Sequence, residues 1–236
     1  MALADCPTAP QPDINLAGMG TAAGSLAWPS VSDGEILSIY GAGLGPAQGV
    51  AGAYHNGFLD TQTGGTRVLF NGVPAPVLYA SSGQVNTIVP FEISDNFVCV
   101  SVEYNGGPSD FYCEERSAVT PGVLVIQNPD GTINSSTAPA PRGSVITAWA
   151  YGFGPFSPPL TDGQIVAGPG GLSNPVTATI DGTDAPVQYT GPAPGLVAGV
   201  VQLNVKIPGT PGTTVEKTTL FFNVSNKSGA AYLWMK

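Results

Sequence analysis

The sequence repeats itself, and this internal repeat limits the possible folds more than any other feature. Residues 34–46 (GEILSIYGAGLGP) align without a gap with residues 143–155 (GSVITAWAYGFGP). Two further blocks recur in the same order along the chain, and they match residues 71–80 with 181–190 and residues 84–90 with 202–208. Three blocks in one order indicate that a domain has been duplicated.

Each repeated block has the pattern of a β-strand or of a tight turn. The first is a strand followed by a glycine-rich turn, in which Gly43 and Gly45 can take positive φ. The second places Asn-Gly at 71–72, and Asp-Gly at 181–182, between apolar runs, which is typical of a two-residue hairpin. The third block alternates polar and apolar residues, as a half-buried strand does.

The composition agrees with an all-β fold. The 32 glycines and 23 prolines interrupt nearly every ten-residue block, so we expect almost no α-helix. Many short strands separated by turns favour a β-sandwich. We therefore predict two tandem all-β sandwiches related by internal duplication. The predicted organisation is an N-terminal arm at 1–24, a first domain at 25–120 and a second domain at 121–236, which includes a linking hairpin at 121–142.

The charge of the chain limits its partners. The formal net charge is −9, and no two of the seven basic residues are adjacent. A polyanion needs clustered positive charge, so we expect no nucleic acid partner and no binding to an anionic membrane surface. No apolar run approaches the roughly 20 residues of a membrane span, so we expect no membrane insertion either.

Two of the three cysteines are placed to form a disulfide. Residues 97–115 have the pattern of a hairpin that turns at 105–107, which sets Cys99 opposite Cys113 on the outward face. A bridge there predicts an oxidising compartment, and the alternative is two free thiols. Cys6 is then left either free or linked to another chain. We expect an extracellular or cell-surface protein, although the segment MALADC shows no signal peptide.

Few residues suit a catalytic or metal site. His55 is the single histidine, and it lies in a loop without a recognisable catalytic partner. One histidine and three separated cysteines do not fit a zinc site. Four aspartates fall in turns, where simple turn chemistry is favoured over a structural calcium ion. We expect no enzyme and no cofactor, with calcium as the open alternative at Asp130, Asp162, Asp181 and Asp184.

Two sets of side chains are candidates for a ligand site or an interface. Amides at equivalent outward positions of both repeats either bind a polar ligand such as a sugar or latch a neighbouring loop, which we favour. Aromatic rings in or beside the second glycine-rich turn either form an exposed patch or pack at the domain interface, which we also favour. The amides are Gln84, Asn86, Gln202 and Asn204, and the rings are Tyr151, Phe153 and Phe156.

Several segments together resemble one known family. They are SIYGAGLGP, NGVPAPVLYASSGQVNTIVPFEI, NPDGTINSSTAPAPRGSVITAWAYGFGP and QLNVKIP, within about residues 30 to 225. They resemble the uncharacterised C-terminal domain family that is expanded in Solibacter and other acidobacteria. The resemblance implies IPT/TIG-like immunoglobulin-like domains in an exported protein, with an extracellular accessory or adhesion role and no catalytic motif. The cysteine hairpin and the arm at 1–24 depart from the family pattern.

The sequence favours a non-enzymatic extracellular module that acts in adhesion, spacing or cell-surface assembly, with a protein or cell-surface partner. Two alternatives stay open. A carbohydrate-binding module requires exposed aromatic rings near residues 151–156. A subunit of an extracellular fibre requires the arm at 1–24 to add a strand to a neighbouring copy, instead of packing on its own chain.

Overall fold

The computed structural model describes residues 10–21 and 30–236, and the regular secondary structure of these residues is all β-strand. The strands of the first half are β1 (Asp13–Thr21), β2 (Ile36–Ala42), β3 (Val50–Ala51), β4 (Tyr54–His55), β5 (Phe58–Leu59), β6 (Gln62–Thr63), β7 (Thr66–Phe70), β8 (Val73–Ala75), β9 (Val77–Ala80), β10 (Gln84–Ile88), β11 (Phe97–Tyr104), β12 (Gly107–Pro108) and β13 (Tyr112–Glu115). Cys6 and its predicted fate lie outside the described residues.

The second half continues with a similar series. Its strands are β14 (Gly122–Gln127), β15 (Val145–Tyr151), β16 (Phe156–Ser157), β17 (Gly171–Leu172), β18 (Val176–Ile180), β19 (Thr183–Ala185), β20 (Val187–Pro192), β21 (Val201–Lys206), β22 (Glu216–Val224) and β23 (Lys227–Met235). No helix long and apolar enough to cross a bilayer occurs among the described residues.

The two halves have the same topology. In the first, one sheet has the order β1-β2-β10-β9-β3, and the other joins β7 to β11, with β8 beside β7 and β13 beside β11. In the second, the corresponding sheets have the orders β14-β15-β21-β20 and β19-β18-β22-β23. The predicted fold of two immunoglobulin-like sandwiches related by duplication is confirmed.

The registers of the two copies also agree. Gln84 lies opposite Tyr40 in the first copy, and Gln202 lies opposite Trp149 in the second. The turns after β7 and β18 both place two successive residues at positive φ, as the Asn-Gly and Asp-Gly pairs predict. Gly43 has φ +70°, but Gly45 is required for another reason: a Cβ there would lie 2.9 Å from the carbonyl oxygen of Ser81. Of the two glycines, only Gly43 therefore uses the positive φ that this residue type permits.

Strand β1 belongs to the predicted N-terminal arm, and it pairs with β2 of its own chain. Its counterpart β14, the first strand of the predicted linking hairpin, takes the same edge position beside β15 in the second sandwich. Residues 13–21 therefore pack on their own chain. The domain boundaries near residues 24 and 120 stay predictions.

Each sandwich has its own apolar core. The core of the first half is built from side chains between Val31 and Val102, and that of the second half from side chains between Val119 and Met235. A third cluster joins the halves, and its buried residues are Ile36, Leu59 and Ile88 of the first half with Tyr151, Ala193, Val197 and Val200 of the second. The two sandwiches are thus packed against each other.

The predicted disulfide is present between Cys99 on β11 and Cys113 on β13. These residues lie directly opposite each other in the register of the two strands. They alternate with buried residues such as Val98 and Val100, so the bridge lies on the outer face of the sheet.

The simultaneous change of Cys99→Ser and Cys113→Ser removes a cross-link between residues 14 positions apart. We expect the first sandwich to lose about 3 kcal/mol of unfolding free energy, because the unfolded chain regains loop entropy. Calorimetry and urea denaturation measure this loss. Reduction of the wild-type protein is the control and should reproduce it, and an unchanged midpoint in the double variant would contradict the expectation.

Candidate functional site: the junction between the two sandwiches

The three aromatic side chains of the second glycine-rich turn are buried. Tyr151 and Phe153 are 0% exposed and Phe156 is 4% exposed, so an exposed ligand patch at these residues is wrong. Phe153 packs edge-on against Phe222 in the second core, with ring centroids 6.0 Å apart. Phe156 packs edge-on against Phe91 of the first half at 5.8 Å, and Tyr151 joins the cluster between the halves. Two of the three rings are therefore at the interface, where aromatic packing is favourable.

The four candidate amides do not come together in one site. Gln84 donates a hydrogen bond to Asn86 on the same strand at 2.8 Å, and Gln202 donates one to Asn204 at 3.0 Å. Thr147 on the neighbouring strand also donates to Asn204. The amides thus bond within their sheets instead of latching a loop. Each pair lies half-buried on a different sandwich.

Glu35 lies at the junction with its side chain fully buried. Its Oε2 accepts hydrogen bonds from the backbone N–H of Ser32 at 3.0 Å and from the hydroxyl of Thr120 at 2.7 Å. The hydroxyls of Ser32 and Thr120 are 2.5 Å apart. Thr120 precedes the second sandwich and donates its N–H to the carbonyl of Gly152. This chain of contacts links the start of β2 to the segment that connects the halves.

The other carboxylate oxygen of Glu35, Oε1, has no hydrogen-bond partner in the described part of the chain. Burial raises the pKa of Glu35 to about 7, because water no longer solvates the charge. The hydrogen bonds from Ser32 and Thr120 oppose this increase in part. A local sequence pattern does not predict this burial, although the repeat offers a signal, since the aligned position of the second copy is the uncharged Ser144.

Asp162 approaches the junction from the second half. Its Oδ1 accepts a hydrogen bond from the backbone N–H of Phe91 at 2.8 Å. Burial raises the pKa of Asp162 to about 6, and the carboxyls of Glu92 and Asp33 raise it further, while the Phe91 hydrogen bond opposes the change. Asp33 is itself paired with the guanidinium of Arg116 at 2.9 Å. The junction therefore holds one carboxyl from each half whose pKa is raised by burial.

Backbone hydrogen bonds also cross the junction, in the manner of paired strands. Leu59 donates its N–H to the carbonyl of Gly163, and Ile165 donates to the carbonyl of Gly57, both at 2.7 Å. Gly163 has φ +71°, and a Cβ there would lie 2.7 Å from the carbonyl oxygen of Leu59. The approach of the two backbones therefore requires glycine at this position.

An apolar groove of about 500 Å³ lies beside these hydrogen bonds. Tyr54 of the first half and Leu196 of the second line it, and they are 52% and 41% exposed. Phe58, 42% exposed, lies opposite His55 in the β4–β5 hairpin and does not line the groove. Aromatic and aliphatic side chains around a concave site between domains are typical of a binding site.

The remaining candidate residues stay at the surface. His55 is exposed and pairs with the carboxylate of Asp60 at 2.8 Å. Asp130 accepts hydrogen bonds from Thr132 within its own turn, which lowers its pKa. Among residues 10–21 and 30–236, no three histidine, cysteine, aspartate or glutamate side chains are grouped to hold a metal ion.

No protein-family model and no curated protein matches the chain. Among solved structures it is similar to the glycan-binding protein SGBP-B of a mixed-linkage glucan utilisation locus of Bacteroides ovatus, with a TM-score of 0.36, 12% identity and coverage of 99% of this chain and 45% of that one. It is also similar to SGBP-B of a xyloglucan utilisation locus of Bacteroides uniformis, with a TM-score of 0.29, 13% identity and coverage of 94% and 48%. For domains 5–6 of the S-layer protein SbsC the TM-score is 0.32, with 14% identity and coverage of 95% and 98%.

The chain spans less than half the length of the two Bacteroides proteins. TM-scores at this level carry no argument about what the chain binds.

Glu35→Gln should stabilise the fold progressively as the pH rises from about 4.5 to 7. In this window the unfolded chain releases the Glu35 proton while the folded protein retains it, so wild-type stability falls with rising pH. The raised pKa corresponds to a penalty of up to about 3 kcal/mol above pH 7, which glutamine avoids. Urea denaturation across this pH range measures the difference. Glu115→Gln, at an exposed carboxyl, is the control, and parallel pH curves for Glu35→Gln and wild type would refute the assignment.

Proposed function

We propose that this chain is a non-enzymatic extracellular module, in which two fused sandwiches hold a fixed spacing in adhesion or cell-surface assembly. The observation that carries the proposal is the packing of the two halves against each other at the junction. Paired backbone hydrogen bonds, the Phe91–Phe156 contact and a third apolar cluster bind the halves to each other. Domains that share a buried apolar interface do not move freely, so the pair is suited to act as a rigid spacer.

The location and partner belong to the same proposal. The Cys99–Cys113 disulfide fits an oxidising compartment, because such bonds are rare where thiols are kept reduced. The resemblance to the acidobacterial domain family with IPT/TIG-like folds agrees with an exported protein. The proposed partner is a protein or another component of the cell surface.

The placement of the titratable groups supports a role without catalysis. An enzyme brings acid and base groups together in an accessible pocket. Here Glu35 and Asp162 are engaged in junction hydrogen bonds, and His55 pairs with Asp60 on a surface hairpin. We infer that the hydrogen bonds of these groups hold parts of the protein together instead of positioning a substrate.

Gly163→Ala tests the rigid junction. The added Cβ meets the backbone of Leu59, which cannot rotate away, so we expect the halves to separate and a single unfolding transition to become two. Small-angle scattering and calorimetry measure the mean span and the number of transitions. Gly182→Ala is the matched control, because Gly182 also has positive φ (+73°) but has no atom within 4 Å of the added Cβ. Equal behaviour of the two variants would reject the rigid spacer.

A carbohydrate-binding role is the second candidate, and the groove beside the junction favours it. The exposed Tyr54 ring at this apolar groove offers a flat face on which a sugar ring stacks, whereas the rings of the turn at 151–156 are buried.

Tyr54→Ala tests this candidate. We expect at least about tenfold weaker binding of a neutral oligosaccharide found on a glycan array, as measured by calorimetric titration. Tyr40→Ala, at another partly exposed tyrosine that does not line the groove, is the control and should leave binding unchanged. Silence of the wild-type protein on the array, or equal loss in both variants, rejects the candidate.

A further inference from the structure

The charge of the protein is divided unequally between the two halves. Residues 1–120 carry eleven acidic and two basic residues, and residues 121–236 carry five of each. The formal net charge of −9 therefore belongs entirely to the first half. Duplicated domains with one topology have thus acquired different surface charges.

One outer sheet face of the first sandwich combines exposed rings with acidic side chains. Phe97 on β11 is 59% exposed and alternates with buried Val98, so it points outward beside the disulfide. Phe111, 71% exposed, directly precedes β13. Glu115 lies opposite Phe97 in the register, and Asp110 is the neighbour of Phe111. We call these four exposed residues the acidic face.

The equivalent sheet face of the second sandwich has rings and a lysine. Tyr232 is 68% exposed and Phe221 is 42% exposed, and both alternate with buried residues of β23 and β22. Trp234 lies next to Tyr232 on the same side of β23, opposite Lys217. The Lys217 ammonium lies 3.6 Å from the centre of the Tyr232 ring, a favourable cation–π distance. We call these four residues the basic face.

The two faces occupy equivalent positions in the duplicated fold. Val100 pairs with Phe70 just before the turn at 71–72, and Leu220 pairs with Ile180 just before the turn at 181–182. The Cys99–Cys113 pair of the first copy therefore corresponds to the Thr219–Tyr232 pair of the second.

Among residues 10–21 and 30–236, the charges of both faces take no part in ion pairs. The ion pairs of these residues are Arg67–Glu103, Arg116–Asp33 and Arg142–Glu216, with His55–Asp60 as a fourth when the imidazole is protonated. Lys217 of the basic face and the carboxylates of the acidic face belong to none of them. Each face thus presents exposed rings and unpaired charge of a single sign.

We propose that the acidic face of one molecule binds the basic face of a second copy. The exposed rings supply apolar area for the centre of such a contact, and the charges around them are opposite in sign. Pairing of either face with its own kind would place like charges together. The contact is therefore between different surfaces, so it leaves one free face at each end and continues from copy to copy.

This inference names a partner for the proposed structural role and uses surfaces apart from the junction. A rigid molecule that stays monomeric would overturn self-association and leave the spacer proposal intact. A flexible molecule that assembles would overturn the spacer proposal and leave self-association intact.

Sedimentation velocity of the full chain tests the contact first without substitutions. We expect species larger than a dimer at low ionic strength and monomers in about 1 M salt, where the Debye length falls to about 3 Å. A wild-type chain that stays monomeric at all concentrations overturns the proposal. This outcome includes a monomer whose basic face binds a neutral glycan through Tyr232 and Trp234 instead of a second copy.

Charge reversal then tests the pairing of the faces. Lys217→Glu makes both faces acidic, and Asp110→Lys with Glu115→Lys makes both basic. Each variant alone should be monomeric, while an equimolar mixture should assemble again, because each variant then supplies the opposite charge to the other. Thermal unfolding of each variant verifies folding.

Lys206→Glu is the matched control, since Lys206 is exposed on the other sheet of the same sandwich, and it should assemble as wild type does. Assembly by the Asp110→Lys, Glu115→Lys variant alone would mean that the basic face pairs with itself, which overturns the proposal. A mixture that stays monomeric overturns it as well.

Discussion

Burial at the junction is the constraint on which the arrangement of this protein depends. Each sandwich has a core of its own, so their relative position is decided by a few shared contacts. The close approach of Gly163 to Leu59 and the ring contact of Phe91 with Phe156 set the distance between the halves. Glu35 is buried beside Ser32 and Thr120 at the same junction, so the stability of the protein depends on the protonation of this carboxyl.

The two copies share the features that the fold requires and differ in the residues at the surface. Strand order and register are the same in both copies, because the inward side chains and the positive-φ turns must be retained. Outward residues are not limited in this way. The position of the Cys99–Cys113 disulfide in the first copy is taken by Thr219 and Tyr232 in the second, and the two equivalent faces differ in charge.

Much of the fold could be predicted, whereas the candidate site mostly could not. The hairpin of Cys99 and Cys113 follows from counting residues on either side of a turn, so the bridge was predictable. The place of Phe153 in the second core, instead of at the interface, was not predictable, since a period of two gives no information beyond the end of a strand. Gly45 shows a similar limit, because its requirement comes from the backbone of Ser81, a contact between distant residues.

The sequence by itself determined the all-β class, the duplication and the disulfide, because alternation, turn chemistry and hairpin register are local properties of the chain. The first two of these recur in both copies, whereas the paired cysteines occur only in the hairpin of the first. The tertiary structure alone decided what meets at the junction. Glu35 and Thr120 lie 85 positions apart, and Phe91 approaches Asp162 across 71 positions. Such contacts depend on how two finished sandwiches pack against each other, and the strand pattern of neither half encodes that packing.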